Sequence, residues 1–133
     1  MRFRLFSFGL LAGLLSAVGC DSGPKIVKVS GVATHNGQPV PNLRLNFLPD
    51  KGRSSMADTD ANGRFTLRYD AEREGAIVGW HIVSGTPQDP GGAMDWKPPA
   101  VTKTVAAKYG DQTKSPMKVE IKGPTDNLEL KFD

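Results

Sequence analysis

Residues 58 to 65 read DTDANGRF, and the first six of them could hold a divalent cation. In a calcium loop opening at Asp58, the carboxylates of Asp58 and Asp60 and the side chain of Asn62 stand at ligand positions, with Gly63 making the sharp bend. Such a loop closes on a bidentate glutamate at its twelfth position, which here is Tyr69. The intervening FTLRY alternates at the strand period instead of opening a helix. The competing expectation is a tight hairpin, because Asp, Asn and Gly tolerate left-handed backbone angles and Asx side chains hydrogen-bond the amides of a turn. The missing ligand favours the turn. Asp58, Asp60 and Asn62 are the only metal-ligand candidates this pattern offers.

Bases and nucleophiles are scarce. The chain has two histidines, His35 and His81, and one cysteine, Cys20. Nucleophilic catalysis needs an activated Ser, Thr or Cys with a base in reach. His35 precedes the Asn36-Gly37 turn signal, which should expose it, while His81 lies mid-strand beside Trp80, where a packed, hydrogen-bonded histidine is expected. Neither has a neighbouring Ser/Asp arrangement, and two separated histidines with one cysteine make a poor tetrahedral zinc set. Asp70-Ala71-Glu72-Arg73-Glu74 reads as a solvated linker rather than a general acid/base pair. In Met94-Asp95-Trp96-Lys97 an aromatic is flanked by charges, and Trp96 is the candidate partner contact because Trp is enriched at binding hot spots. The alternative is an aromatic folded back over a sheet edge. The expectation is no catalytic residue, no cofactor and no enzyme. A hydrolase would need a cleft collecting His81 with acidic loop residues.

The N-terminus explains much of the positive charge. MRFR leads into the apolar stretch LFSFGLLAGLLSAVG, which has the length of an export signal and is shorter than the roughly 20 residues of a membrane-spanning helix. Removing it takes away Arg2 and Arg4, so 15 basic residues face 14 acidic ones and the formal charge falls from +3 to +1. No Lys/Arg run with interleaved aromatics remains, which leaves nucleic-acid binding without electrostatic support. Cys20 follows the signal directly, and a lone cysteine forms no internal disulfide. The run Leu15-Ser16-Ala17-Val18-Gly19-Cys20 resembles the lipobox of bacterial lipoproteins, departing from it at Ala17, where Leu is commoner. The resemblance implies cleavage before Cys20 and lipid on its thiol and amine. The expected organisation is a signal over residues 1–19, a lipid tether over 20–25 and one domain over 26–133. The mature protein is then tethered in the cell envelope, with the choice of inner or outer membrane open.

The elements that would position these residues are strands. Fifteen Gly and ten Pro with aromatics at only 8% suggest many turns, and the apolar runs are short and alternating. The domain is expected to be all-β. A first strand runs from Ile26 to the Asn36-Gly37 signal, a second carries Leu43, Leu45 and Phe47, and Ser54 to Thr59 joins Phe65, Leu67 and Tyr69 through the DANG turn. Trp80 to Val83 is apolar on both faces. Two further strands carry Met117, Val119 and Ile121, then Leu128, Leu130 and Phe132. Their alternation places Phe47, Phe65, Leu67, Val119, Ile121, Leu130 and Phe132 in the core. Residues 85–104 read as a long Pro- and Gly-rich loop, with a short helical turn at Val105 to Tyr109.

Four stretches together resemble the carboxypeptidase regulatory-like domain: Gly31 in the first strand, Gly37-Gln38-Pro39-Val40, Thr59-Asp60-Ala61-Asn62-Gly63-Arg64-Phe65, and Gly79-Trp80-His81. The tail from Ala106 to Phe132 also looks like that of small bacterial lipoproteins carrying such a domain alone. The resemblance implies a seven-stranded Greek-key β-sandwich of transthyretin-like type. It implies an accessory, spacer or interaction role rather than an activity, since fold does not fix function. A purine-breakdown hydrolase shares the fold but relies on several His and Arg residues and a C-terminal Tyr-Arg-Gly-Ser, where this chain reads Glu129-Leu130-Lys131-Phe132-Asp133. The reading is a non-catalytic, lipid-anchored envelope module, with the membrane as one partner and an envelope protein or glycan as another. The alternative is a calcium- or carbohydrate-dependent adhesion module.

Overall fold

A computed structural model describes residues 23–133. The stretch expected to be an export signal, and Cys20, expected to carry lipid, lie outside the described residues. Strands β1 (Ile26–Val27), β2 (Val29–His35), β3 (Gln38–Pro39), β4 (Leu43–Pro49), β5 (Ser55–Asp58), β6 (Arg64–Thr66), β7 (Ala76–Ile77) and β8 (Gly79–Pro87) are followed by helix α1 (Ala100–Tyr109) and by β9 (Lys118–Ile121) and β10 (Thr125–Lys131). The fold is mostly β, as the alternating pattern predicts. One four-stranded sheet runs β10-β2-β3 with β6 also on β2; a second runs β5-β4-β8-β9; β1 and β7 form a small third pair.

The two larger sheets meet face to face. In β4 the side chains of Leu43, Leu45 and Phe47 are buried while Arg44, Asn46 and Leu48 alternate with them on the wetter face, the period of two that a half-buried strand requires. Phe47 of the second sheet meets Phe65 of the first, ring centroids 6.3 Å apart. Around that contact lie Val29, Ala33, Leu67, Val83, Ile121, Leu130 and Phe132. Each fully buried large apolar side chain contributes about 1.5–3 kcal/mol. Six of the seven expected core residues are buried, and Val119 is only half-buried against the cluster. The reason is its place on β9, an edge strand paired with β8 alone.

DTDANGRF is a split hairpin. Asp60 N–H donates to the Arg64 carbonyl at 2.9 Å, and Met56 and Arg68 exchange backbone hydrogen bonds in the same register. Between these two rungs the arms part, β5 pairing with β4 and β6 with β2. The corner therefore carries the chain from one sheet to the other. Gly63 sits at φ 73°, and a Cβ there would lie 2.5 Å from the Ala33 carbonyl oxygen. Both facts demand glycine.

The expected long loop is shorter than its composition suggests. Strand β8 continues to Pro87, opposite Leu43, and α1 begins at Ala100, so only residues 88–99 are irregular. Pro98 and Pro99 end the irregular stretch, and Thr102, Val105 and Tyr109 form the buried stripe of the helix at the i, i+3, i+7 spacing of one helical face. Tyr109 stacks edge-on against Phe132 at 4.9 Å and its hydroxyl donates to the Asp133 carbonyl at 2.8 Å. The helix thus closes the end of the molecule at which β2 and β10 finish. Among the described residues no helix is long and apolar enough to cross a membrane.

Candidate functional site

The chemistry-bearing residues are distributed over three places, and each is shaped by its local backbone. The first is the acidic corner. The Asp60 carboxylate accepts hydrogen bonds from the amides of Asn62 (2.8 Å) and Arg64 (2.9 Å) through one oxygen, the Asx-turn expected of that residue. Asn62 contributes its backbone N–H. Asp58 sits one sheet position away, in a two-pronged ion pair with Arg44 across the β4–β5 ladder, at 2.7 and 2.9 Å. The geometry suits the planar fork of a guanidinium. The three candidate metal ligands thus have separate structural tasks, and among the described residues no group of three or more His, Cys, Asp or Glu is arranged to hold an ion. The Arg44–Asp58 pair was not visible in the sequence, because sequence alone does not set which strands pair or in what register.

Asp58 and Asp60 also stand at the rim of a groove of about 1050 Å³ on the outer face of the first sheet. Its floor is set by the register. Glu129, Val32 and Arg64 lie side by side across three strands, and Ser30 stands opposite Thr66. Hydroxyls and charges of both signs face the same open space, an arrangement suited to a polar ligand and to hydrogen bonding.

The second place is the histidines. His81 is 2% exposed, packs edge-on against Phe47 at 5.8 Å, and directs Nε2–H to the Ile77 carbonyl at 2.6 Å. It is the packed structural histidine anticipated for a mid-strand position. His35, expected to be exposed at its turn, is instead half-buried, and its Nδ1–H donates to the Phe132 carbonyl. The cause is the parallel strand β10, whose end lies beside β2 and covers it. Each histidine pins a backbone carbonyl, and they lie on different strands at opposite ends of the sheets.

The third place is the charged loop after β6. Asp70 accepts hydrogen bonds from the Glu72 and Arg73 amides at 3.0 and 2.8 Å and pairs with the Arg73 guanidinium at 2.6 and 2.9 Å. The Arg73 side chain, and then the Glu72 amide, hold the Asp70 carboxyl at about 2, below its ordinary 3.8. Arg73 also lies over the Tyr69 ring, 4.8 Å from its centroid, and Arg53 approaches the same ring at 5.9 Å. The linker read from sequence as a solvated loop is exposed at residues 71–74, and this clamp closes it.

The two tryptophans differ in exposure. Trp96 is half-buried, and its backbone N–H donates to the Ala93 carbonyl at 3.1 Å. Trp80, in a stretch that read as apolar on both faces, is 54% exposed on the outer face of β8. Strand alternation was the available signal: His81 and Val83 take the inner face, so Trp80 and Ile82 take the outer. Comparison with protein-family models, with curated proteins and with solved structures finds no match for this chain.

Proposed function

We propose that this protein is a lipid-anchored envelope protein whose single β domain, a transthyretin-like Greek-key sandwich, serves as a binding or structural module without catalytic activity. One observation carries the reading: both histidines and the turn aspartates are engaged by backbone groups, and Asp58 by an arginine. His35 and His81 pin carbonyls of Phe132 and Ile77, Asp60 and Asp70 cap turns, and Asp58 is clamped by Arg44. A general base needs its nitrogen or carboxylate within reach of a substrate proton; the two histidines face the protein instead, and the carboxylates of Asp58, Asp60 and Asp70 are taken up by Arg44 and by turn amides. The lipobox-like run supports the anchor, with Cys20 acylated. The open polar groove supports binding.

Replacing Cys20 with Ser is expected to move the protein from the membrane fraction to the soluble one, and a variant that stays membrane-bound would refute the anchor. The adhesion alternative has its own measurement. A calcium ion bound only to the folded state, at a hundredfold excess over its dissociation constant, adds about 2.7 kcal/mol of stability. The expected outcome is no change of Tm with millimolar Ca²⁺. A rise that chelator or Asp60→Ala abolishes would install the calcium-dependent reading in place of the inert corner.

A further inference from the structure

The end of the domain where the chain emerges from residues 20–25 combines exposed lysines with an exposed tryptophan. Lys25 and Lys28 flank β1 and are exposed. Their backbones are tied in, since Val78 N–H donates to the Lys25 carbonyl and Thr125 N–H to the Lys28 carbonyl, both at 3.0 Å. Pro49 pairs with His81 and Gly79 with Ile121, so the loop carrying Lys51 and the turn carrying Lys122 leave their strands at this same end. Both lysines are exposed. Trp80 stands there on the outer face, beside a hollow of about 360 Å³ that Asp50, Ile82 and Lys118 also line. The local acids are partly neutralised, Asp70 by Arg73 and Glu74 by Arg68, while Asp50 and Glu120 remain beside the tryptophan and Asp126 near Lys28.

We infer that this end of the domain rests on the bilayer surface, with Trp80 inserted at the headgroup level and Lys25, Lys28, Lys51 and Lys122 against lipid phosphates. The inference rests on the lipid anchor at Cys20 proposed above. Length makes the argument. Six residues, fully extended, reach about 20 Å at most, whereas a domain of this size has a radius of gyration of about 13 Å and is therefore wider than its tether is long. A domain held so closely must turn one surface to the membrane, and the surface from which the tether leaves is the one at hand. Its composition matches that position, because indole rings settle at the membrane–water interface and lysines are drawn to anionic headgroups. The opposite end supplies a contrast. Trp96 belongs to the segment between Pro87, which pairs with Leu43 at the far end of β4, and helix α1.

The two tryptophans therefore allow a test within one protein. The full-length protein, purified from membranes with its native N-terminus, is reconstituted into vesicles of phosphatidylcholine and phosphatidylglycerol carrying brominated acyl chains. In Trp96→Phe the remaining Trp80 emission is expected to be blue-shifted and quenched about twofold, as an interfacial indole is; in Trp80→Phe the Trp96 emission is expected to be unaffected. The mass of the N-terminal peptide is read on the same sample. An acylated Cys20 with Trp80 unquenched, or with both tryptophans quenched alike, overturns the docked orientation and leaves the anchor standing. An unacylated Cys20 overturns the anchor, and the docking with it.

Discussion

At the scale of single residues, one device recurs: an aspartate whose side chain accepts the amide two positions on. Asp60 does this to Asn62, Asp70 to Glu72, Asp89 to Gly91 and Asp111 to Thr113, at 2.8 to 3.0 Å. The device is local, so it was legible in DTDANG, and the same logic applies to Asp70-Ala71-Glu72. What sequence could not show is the fork that Arg73 adds, since the return of that side chain depends on the turn already being closed. The fork has a titration consequence. Asp70 is held at about 2 against an ordinary 3.8, so the folded state favours its ionised form. The turn's contribution is then fully present above the ordinary carboxyl range and is lost as pH falls through about 2. The group is open to solvent, so salt should weaken the effect. Side-chain carboxyl chemical shifts followed from pH 5 downward are expected to show Asp70 titrating near about 2, below the ordinary 3.8, and Arg73→Gln to bring it back toward the ordinary value. An Asp70 that titrates at the ordinary 3.8 in the intact protein would mean that the clamp is not populated in solution.

Elements are legible to the degree that their pattern is local. The alternation in LRLNFLP and in VEI and LELKF states which face is dry, and the structure agrees apart from Val119 and Leu128, which are half-buried. Partnership is another matter. β9 and β10 are consecutive, yet β9 pairs with β8 in the second sheet and β10 crosses to lie parallel to β2 in the first. Nothing in either strand's own residues names that partner, but Gly31 bears its imprint. A Cβ on Gly31 would lie 1.9 Å from the Leu128 carbonyl oxygen. The close approach occurs where the β10 register slips between Thr125 and Leu128, and only a residue without a side chain admits it. Gly31→Ala is expected to cost about 1–3 kcal/mol, the range for forcing atoms into a packed site, read as a lower urea midpoint with an unchanged slope. Gly123→Ala is the control: a Cβ there meets nothing within 4 Å, so its effect should stay within about 0.5 kcal/mol. Equal losses at the two positions would show that β10 does not lie against Gly31.

For the molecule as a whole, the question is whether two sheets built from crossing segments behave as one cooperative unit. The chain passes between the sheets from β3 to β4, at the DTDANGRF corner, from β6 by way of β7 to β8, and again between β9 and β10, so neither sheet is a continuous stretch of sequence. Each sheet is completed only by segments distant along the chain, and such topologies gain little from local structure before the long-range contacts form. Those contacts converge on Phe47 and Phe65, which face one another from opposite sheets at 6.3 Å with their rings tilted by 38°. Both residues were legible as core from strand alternation; their mutual contact was not, because it depends on how the sheets stack. If this contact couples the layers, the two rings should not act independently. Phe65→Ala alone is expected to cost about 3–5 kcal/mol, which is too disruptive for a pairwise comparison, so Phe47→Leu and Phe65→Leu are the better probes. An aromatic pair contributes about 0.5–1.5 kcal/mol beyond its buried area. The double variant should therefore lose less stability than the sum of the single losses by about that amount, because the pair interaction is already gone after the first change. Chemical denaturation of the four proteins closes the cycle. Losses that add to within about 0.3–0.5 kcal/mol would mean that the rings do not touch in solution, and the face-to-face stacking of the sheets described above would have to be redrawn.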